Sequence, residues 1–309
     1  MQAMNLVGAV GLAGVVFTLA SCGQSSSESA STSTESETAT ESTGESTGAS
    51  TDITSNTEVT NPNATEEADA KLQGLADSLK QQGNDMAQDA TSGGSLTKAL
   101  DEAREASTTR LSPDIKELFA EGIADVENSG ILASAKNVGD DAPEFVLPDA
   151  VGRSVSLAEL LGEGPVVLVW YRGGWCPYCN ITLRAYQERL DDIKAAGATL
   201  VAISPEVPDK SLDTRQKNEL DFAVLSDVRN VVAKQYGVVF ELMPAVADKY
   251  RELGLNLLEY NGNESNELPL SATYVIGQDG KITYSFLDAD YTKRADPDEV
   301  MAALQGSQG

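Results

Sequence analysis

The sequence predicts an α/β sandwich, a mixed central sheet between helices. Three observations predict it. First, "PVVLVWY" (165–171) and "TLVAIS" (199–204) are unbroken apolar runs of strand length, as in buried parallel strands. Second, the helical pattern "NITLRAYQERLDDIKAAGA" lies between them, giving a strand–helix–strand unit. Third, "ATYVIGQDGKITYSFLD" (272–288) reads as a hairpin whose Asp279-Gly280 suits a turn with positive φ, and a last helix covers about Pro297–Leu304.

The other elements follow in chain order. The apolar stretch Leu6–Ala20 is too short for a comfortable membrane span and has the length of a signal-peptide core. It ends in "LASC" (19–22), which resembles a bacterial lipobox; this implies a leader over residues 1–21, cleaved before Cys22, with lipid attached to Cys22. The leader departs from the usual pattern in having no Lys or Arg before its apolar run. Residues 22–65 are rich in Ser, Thr and Glu with almost no large apolar side chain, so they cannot offset their ordering entropy and read as a disordered tether. Residues 66–136 form a helical segment. Leu72, Leu75 and Leu79 recur at helical spacing, and Ser112-Pro113 starts a helix with the stripe Ile115, Leu118, Phe119, Ile123, Val126, ending near Gly130. The stripe is expected to pack on the following domain rather than to bind a partner. That domain spans 137–309. It opens with two short strands around a turn at Gly152 and one helical turn, and "FAVLSD" (222–227) is a further short strand.

Composition narrows the chemistry. The 309 residues carry a formal charge of −26. Residues 1–70 hold ten acids and no base, leaving 38 acids against 22 bases in the remainder. This acidity argues against a nucleic-acid partner, since phosphate binding needs basic patches. There is no histidine, which excludes Ser-His-Asp and Cys-His catalysis and removes the commonest metal ligand. Two close cysteines without histidine cannot complete a zinc site, so neither metal nor cofactor is expected.

Those cysteines stand in "YRGGWCPYCN" (171–180), where a central strand ends and a helix begins. A helix N-terminus stabilises a thiolate, and Cys-X-X-Cys pairs there have depressed pKa values. A structural disulfide across two residues would close a tiny loop and constrain little, so redox chemistry is the better reading. Cys179, Leu183, Tyr186, Leu190 and Ile193 share one helical face, which must be the buried one. Cys179 should therefore point inward, and Cys176 should sit at the cap, nearer solvent. Arg172, four residues earlier, would lower a thiolate's pKa or be a solvated loop residue. Tyr171, Trp175, Pro177 and Tyr178 are candidate walls of the site or plain packing.

"VGDDAPEFVLPD", "PVVLVWYRGGWCPYCN", "LVAISPEVPDKSL", "FAVLSD" and "LPLSATYVIGQDGKI" together resemble the peroxiredoxin-like branch of the thioredoxin superfamily, the group of alkyl hydroperoxide reductase and thiol-specific antioxidant proteins. The resemblance covers roughly 138–305, with a weaker echo back to about 100. It implies a thioredoxin-like fold with a β-hairpin added before the first core strand. It also implies a thiol peroxidase acting on hydrogen peroxide or organic hydroperoxides and recycled by a thioredoxin-like reductant. Without gaps, the family's peroxidatic cysteine falls on Cys179, its threonine on Cys176, its proline on Arg172 and its second arginine near Ser271. The chain thus keeps the cysteine and lacks that threonine and arginine at their usual places. Against thioredoxin itself, Cys176 would attack and Cys179 resolve, and Ser271 takes the place of the cis-proline, Pro269 being two residues early. A thiol–disulfide oxidoreductase acting on protein disulfides is the second reading; a redox-inactive, lipid-anchored binding protein is a third. An anchored position in the bacterial envelope, outside the cytoplasm, goes with all three.

Overall fold

The computed structural model describes residues 95–306. The expected leader, Cys22, the tether and the Leu72–Leu79 stripe lie outside the described residues. Helices α1 (Leu96–Arg110), α2 (Pro113–Asn128) and α3 (Ile131–Ser134) lead into a hairpin of β1 (Val146–Pro148) and β2 (Ser154–Ser156). Gly152 turns that hairpin with φ 83°, a conformation only glycine adopts without strain. After α4 (Leu157–Glu163) come β3 (Val166–Trp170), α5 (Pro177–Glu188), α6 (Leu190–Ala195), β4 (Thr199–Ser204), α7 (Pro208–Lys217) and β5 (Ala223–Ser226). The chain ends through α8 (Val231–Gln235), β6 (Val239–Glu241), α9 (Pro244–Glu252), α10 (Leu257–Asn261), β7 (Glu267–Pro269), β8 (Ser271–Ile276), β9 (Ile282–Asp288) and α11 (Pro297–Gly306).

The central sheet has the order β5-β4-β3-β8-β9. β3 pairs in parallel with β4, and β4 with β5, whereas β8 runs antiparallel to both β3 and β9. This is the expected mixed sheet with a thioredoxin-like strand order and one extra edge strand. Every residue of β3 is buried because the sheet is covered on both faces. Alternation along the strands divides the core. Val167, Val169, Leu200 and Ala202 pack with α1, α5, α6 and α11. Val166, Leu168, Trp170, Val201 and Ile203 pack with α3, α4, α8 and the β1–β2 hairpin.

Two differences from expectation concern the helices. The helix after β3 starts at Pro177, directly after the expected Cys176 cap, and breaks at Arg189, where the backbone leaves helical values (φ −95°, ψ 7°). Cys179, Leu183, Tyr186, Leu190 and Ile193 all remain in one core cluster across that break. The α2 stripe is mostly half-buried: Val126 is its buried end, while Leu118 and Phe119 lie against a third cluster made by α9 and β7. The β6–β7 ribbon with α9 and α10 was not anticipated, because its strands have three residues each and show no period.

Gly164 joins α4 to β3 where the chain passes Gly197. A Cβ at Gly164 would lie 2.0 Å from the Gly197 carbonyl oxygen, and neither backbone can yield without moving β3 or β4. Gly164→Ala is expected to lower unfolding stability by about 2 kcal/mol, read as a lower urea midpoint with unchanged slope.

Candidate active site

The strand-to-helix turn carries the two thiols. Cys176 is the N-cap residue of α5 and Pro177 its first residue, where the missing N–H has no intrahelical partner. The Cys176 amide donates to the Gly173 carbonyl (3.0 Å), and its carbonyl accepts from Asn180 N–H (3.2 Å). The two loop glycines are required by contact. A Cβ at Gly173 would meet the Trp175 ring at 2.2 Å, and one at Gly174 would meet Thr214 Oγ1 at 2.1 Å. Asn180 Nδ2 donates to the Gly174 carbonyl (2.9 Å), tying helix to loop.

Both cysteines are reduced and buried. The expectation that Cys176 lies near solvent is corrected: it is 1% exposed and Cys179 is 0% exposed. The cap position is as expected; what covers the sulfur is the aromatic loop and α1, which sequence spacing does not place.

An arginine reaches Cys179 from an unexpected place. Arg294, in the segment between β9 and α11, donates Nη2–H to Cys179 Sγ (3.3 Å) and Nη1–H to Ser271 Oγ (2.6 Å). Ser271 occupies the position where the resemblance would put an arginine. A guanidinium therefore stands over Cys179 after all, seated on Ser271 and delivered from 23 residues further along. Arg172 is not solvated. It is 2% exposed, donates to the Tyr250 hydroxyl (2.7 Å) and lies over the rings of Tyr291 (4.5 Å), Trp175 (5.1 Å) and Tyr250 (5.8 Å).

These groups split the two thiols. For Cys179, burial opposes ionisation; the Cys176 thiol hydrogen bond, the Arg294 charge, the Arg172 backbone N–H and the Arg172 charge outweigh it, holding Cys179 well below the usual thiol range. Cys176 is pushed well above that range by burial, by its hydrogen bond to Cys179 and by the Cys179 charge, against which the two arginines are too weak. These surroundings favour ionisation of Cys179, with Cys176 the thiol that keeps its proton.

Behind the loop is a carboxylate that sequence reasoning missed. Glu206, 0% exposed, accepts from Gly174 N–H (2.9 Å), the Tyr171 hydroxyl (3.0 Å) and Thr214 Oγ1 (3.1 Å). Tyr171 is thereby turned away from the pocket over the thiols, whereas Trp175, Pro177 and Tyr178 line it and Ser271 holds Arg294. Among the described residues, no group of three or more His, Cys, Asp or Glu side chains could hold a metal ion.

Residues 138–285 match the AhpC/TSA family. They are an AhpC/TSA domain. It is similar to peroxiredoxin Bcp of Escherichia coli strain K12, at 34% identity over 100 residues, 32% of this chain and 64% of that protein. It is also similar to the chloroplastic peroxiredoxin Q of Oryza sativa subsp. japonica, at 29% identity over 156 residues, 50% of this chain and 61% of that protein. The chain spans just under two thirds of the length of the curated relatives it matches. Among solved structures it is similar to peroxidoxin BcpB of Mycobacterium tuberculosis (25% identity, 55% of this chain, 97% of that one, TM-score 0.43). Arg294, Tyr291 and helices α1 and α2 lie outside the residues matched to the AhpC/TSA family.

Burial pushes the Glu206 carboxyl from 4.5 up to about 7, its three donors offsetting only part. A carboxyl raised on folding stabilises the protein while it is protonated in both states, and that contribution is lost as pH rises from about 4.5 through about 7. Glu206→Gln should therefore remove up to about 3 kcal/mol of the fall in stability across this window. Urea unfolding of both proteins between these pH values checks it; parallel profiles would refute it.

Proposed function

We propose that this protein is a thiol peroxidase in which Cys179 attacks and Cys176 resolves. The observation that supports this most is the Arg294 guanidinium on Cys179 Sγ, 3.3 Å away and anchored on Ser271. The Cys179 thiolate attacks the terminal oxygen of a hydroperoxide, ROOH. An S–O bond forms, the O–O bond breaks, and RO⁻ leaves with the electron pair. The Cys176 thiol, hydrogen-bonded at the same sulfur, is placed to protonate RO⁻ to ROH. The new Cys176 thiolate then attacks the Cys179 sulfenic acid; the disulfide forms, and hydroxide leaves to be protonated by solvent. An external thioredoxin-like dithiol reduces the disulfide by exchange.

Burial supports a small oxidant. A hydroperoxide group can enter a closed pocket; a protein disulfide cannot approach a sulfur that is 0% exposed. The second reading, thiol–disulfide oxidoreductase, is favoured by one observation: the pocket opens onto Cys176, the sulfur that would attack a disulfide. We further propose that the protein is lipid-anchored through Cys22 outside the cytoplasm. This rests on "LASC" and the apolar run before it.

Three outcomes are expected. In Cys176→Ser, one equivalent of peroxide leaves a sulfenate on Cys179 that dimedone traps, and Cys179→Ser leaves none on Cys176. Arg294→Gln raises the Cys179 pKa, seen in thiolate ultraviolet absorbance, and slows peroxide oxidation about 10–100-fold. Fast oxidation of Cys176 alone, with insulin reduced better than peroxide, would transfer the assignment to the oxidoreductase. Metabolic labelling with a radioactive fatty acid should mark the wild type and not Cys22→Ala; equal labelling refutes the anchor.

A further inference from the structure

Resting on the peroxidase reading, we propose that the disulfide which peroxide leaves on Cys176 and Cys179 is also handed to the thiols of reduced, unfolded polypeptide, making this protein a peroxide-driven disulfide donor. The charge balance of the site carries the inference. Arg294 is 8% exposed, and apart from Cys179 Sγ the hydrogen-bond partners of its guanidinium are neutral: Ser271 Oγ and the carbonyls of Tyr291 and Lys293. Arg172 is held by the Tyr250 hydroxyl and by three ring faces. Glu206, the buried acid behind the loop, gives its oxygens to Gly174, Tyr171 and Thr214 rather than to either guanidinium. The anion that answers these buried cations is the Cys179 thiolate, which exists only in the reduced protein. Disulfide formation removes it and leaves the cations uncompensated in a dry site. The oxidised form is therefore the costly one. Each factor of ten by which the thiolate is stabilised becomes a factor of about ten in the exchange constant that favours reduction of the disulfide.

The geometry also sets which sulfur is attacked. Cys176 lines a recess of about 160 Å³ together with Leu111, Phe119, Leu253 and Leu255, and Cys179 does not line it. A polypeptide thiolate attacks Cys176 Sγ. The Cys176–Cys179 bond breaks, and Cys179 leaves with the electron pair as the thiolate that Arg294 receives. A thiol of low pKa is the faster leaving group, and the surroundings of Cys179 hold it well below the usual thiol range. The second thiolate of the polypeptide then attacks its own sulfur in the mixed disulfide; Cys176 leaves and takes a proton. The sum is R(SH)₂ + R′OOH → R(S–S) + R′OH + H₂O, with two electrons passing from polypeptide to peroxide. A cysteine on a mobile segment, flanked by apolar side chains that a folded protein would bury, suits a recess of this size and lining.

The test uses the full chain and takes the two half-reactions separately. The disulfide is made with diamide, so that no peroxide step enters, and is mixed with reduced, unfolded ribonuclease A or with glutathione at equal thiol concentration. Ribonuclease A is expected to be oxidised faster by about tenfold or more. Leu111→Glu and Leu253→Glu, which charge the rim, should bring the two rates together. Arg294→Gln should lower the exchange constant against glutathione by about tenfold or more, with Arg294→Lys, which keeps the charge, between it and wild type. With hydrogen peroxide supplied, catalytic amounts of wild type should form one ribonuclease disulfide per peroxide consumed. Equal rates for the two thiols in wild type, rates unmoved by the charged rim, or an exchange constant unmoved by Arg294→Gln would each overturn this inference; a Cys179 sulfenate in Cys176→Ser, scored alongside, would leave the peroxidase reading standing. Transfer from the diamide-made disulfide with no oxidation of Cys179 by peroxide would overturn the peroxidase reading and the peroxide-driven step with it.

Discussion

The site depends on the contact between Arg294 and the Cys179 sulfur. A thiolate and a guanidinium are each costly to bury alone, and together at 3.3 Å they compensate one another. The neighbouring features hold that contact. Ser271, at the start of β8, gives the guanidinium a second anchor. Cys179 is presented by α5, whose inward face is packed against β3 and β4. The Cys176 thiol spends its proton on the same sulfur, which is why two cysteines one helical turn apart end with opposite ionisation preferences.

The second guanidinium is handled differently. Arg172 has no anionic side chain beside it and is accommodated by the faces of Tyr291, Trp175 and Tyr250, whose ring quadrupoles attract a cation in a dry environment. Two positive groups therefore bear on a pair of thiols from two separate segments, the cysteine loop and the turn after β9. Glu206 acts in the other sense. Its carboxylate anchors the loop through Gly174 N–H, and the charge on Cys179 helps to raise its pKa. Thiolate and carboxylate compete for ionisation across one loop, so oxidation of Cys179, which removes its charge, must ease the ionisation of Glu206.

The AhpC/TSA domain supplies the sheet, the cysteine helix and Ser271. The flanking chain supplies Arg294, Tyr291 and the α1–α2 wall. The positive charge over Cys179 comes from beyond β9, while Arg172 in the loop is held by aromatic rings. Tyr178 illustrates the join: its hydroxyl donates to Ser107 Oγ on α1 (3.3 Å) and its ring meets Tyr291 at 5.8 Å.

The sequence alone determined whatever depends on period and on near neighbours. Unbroken apolar runs announced β3 and β4, the Asp279-Gly280 turn announced the β8–β9 hairpin, and the i, i+4, i+7 spacing put Cys179 on the buried face. Glu206 was legible in principle, a carboxylate directly after an apolar strand in "TLVAISPE". Tertiary structure decided what depends on residues distant in the chain. Nothing near Arg294 marks it as the partner of a sulfur 115 residues earlier, nor Tyr250 and Tyr291 as the cage of Arg172. The burial of Cys176 likewise required α1 and the aromatic loop to close over a position that helical spacing leaves at the edge. Local spacing sets which way a side chain points from its own element; only the packing of several elements sets which charges meet it and whether water does.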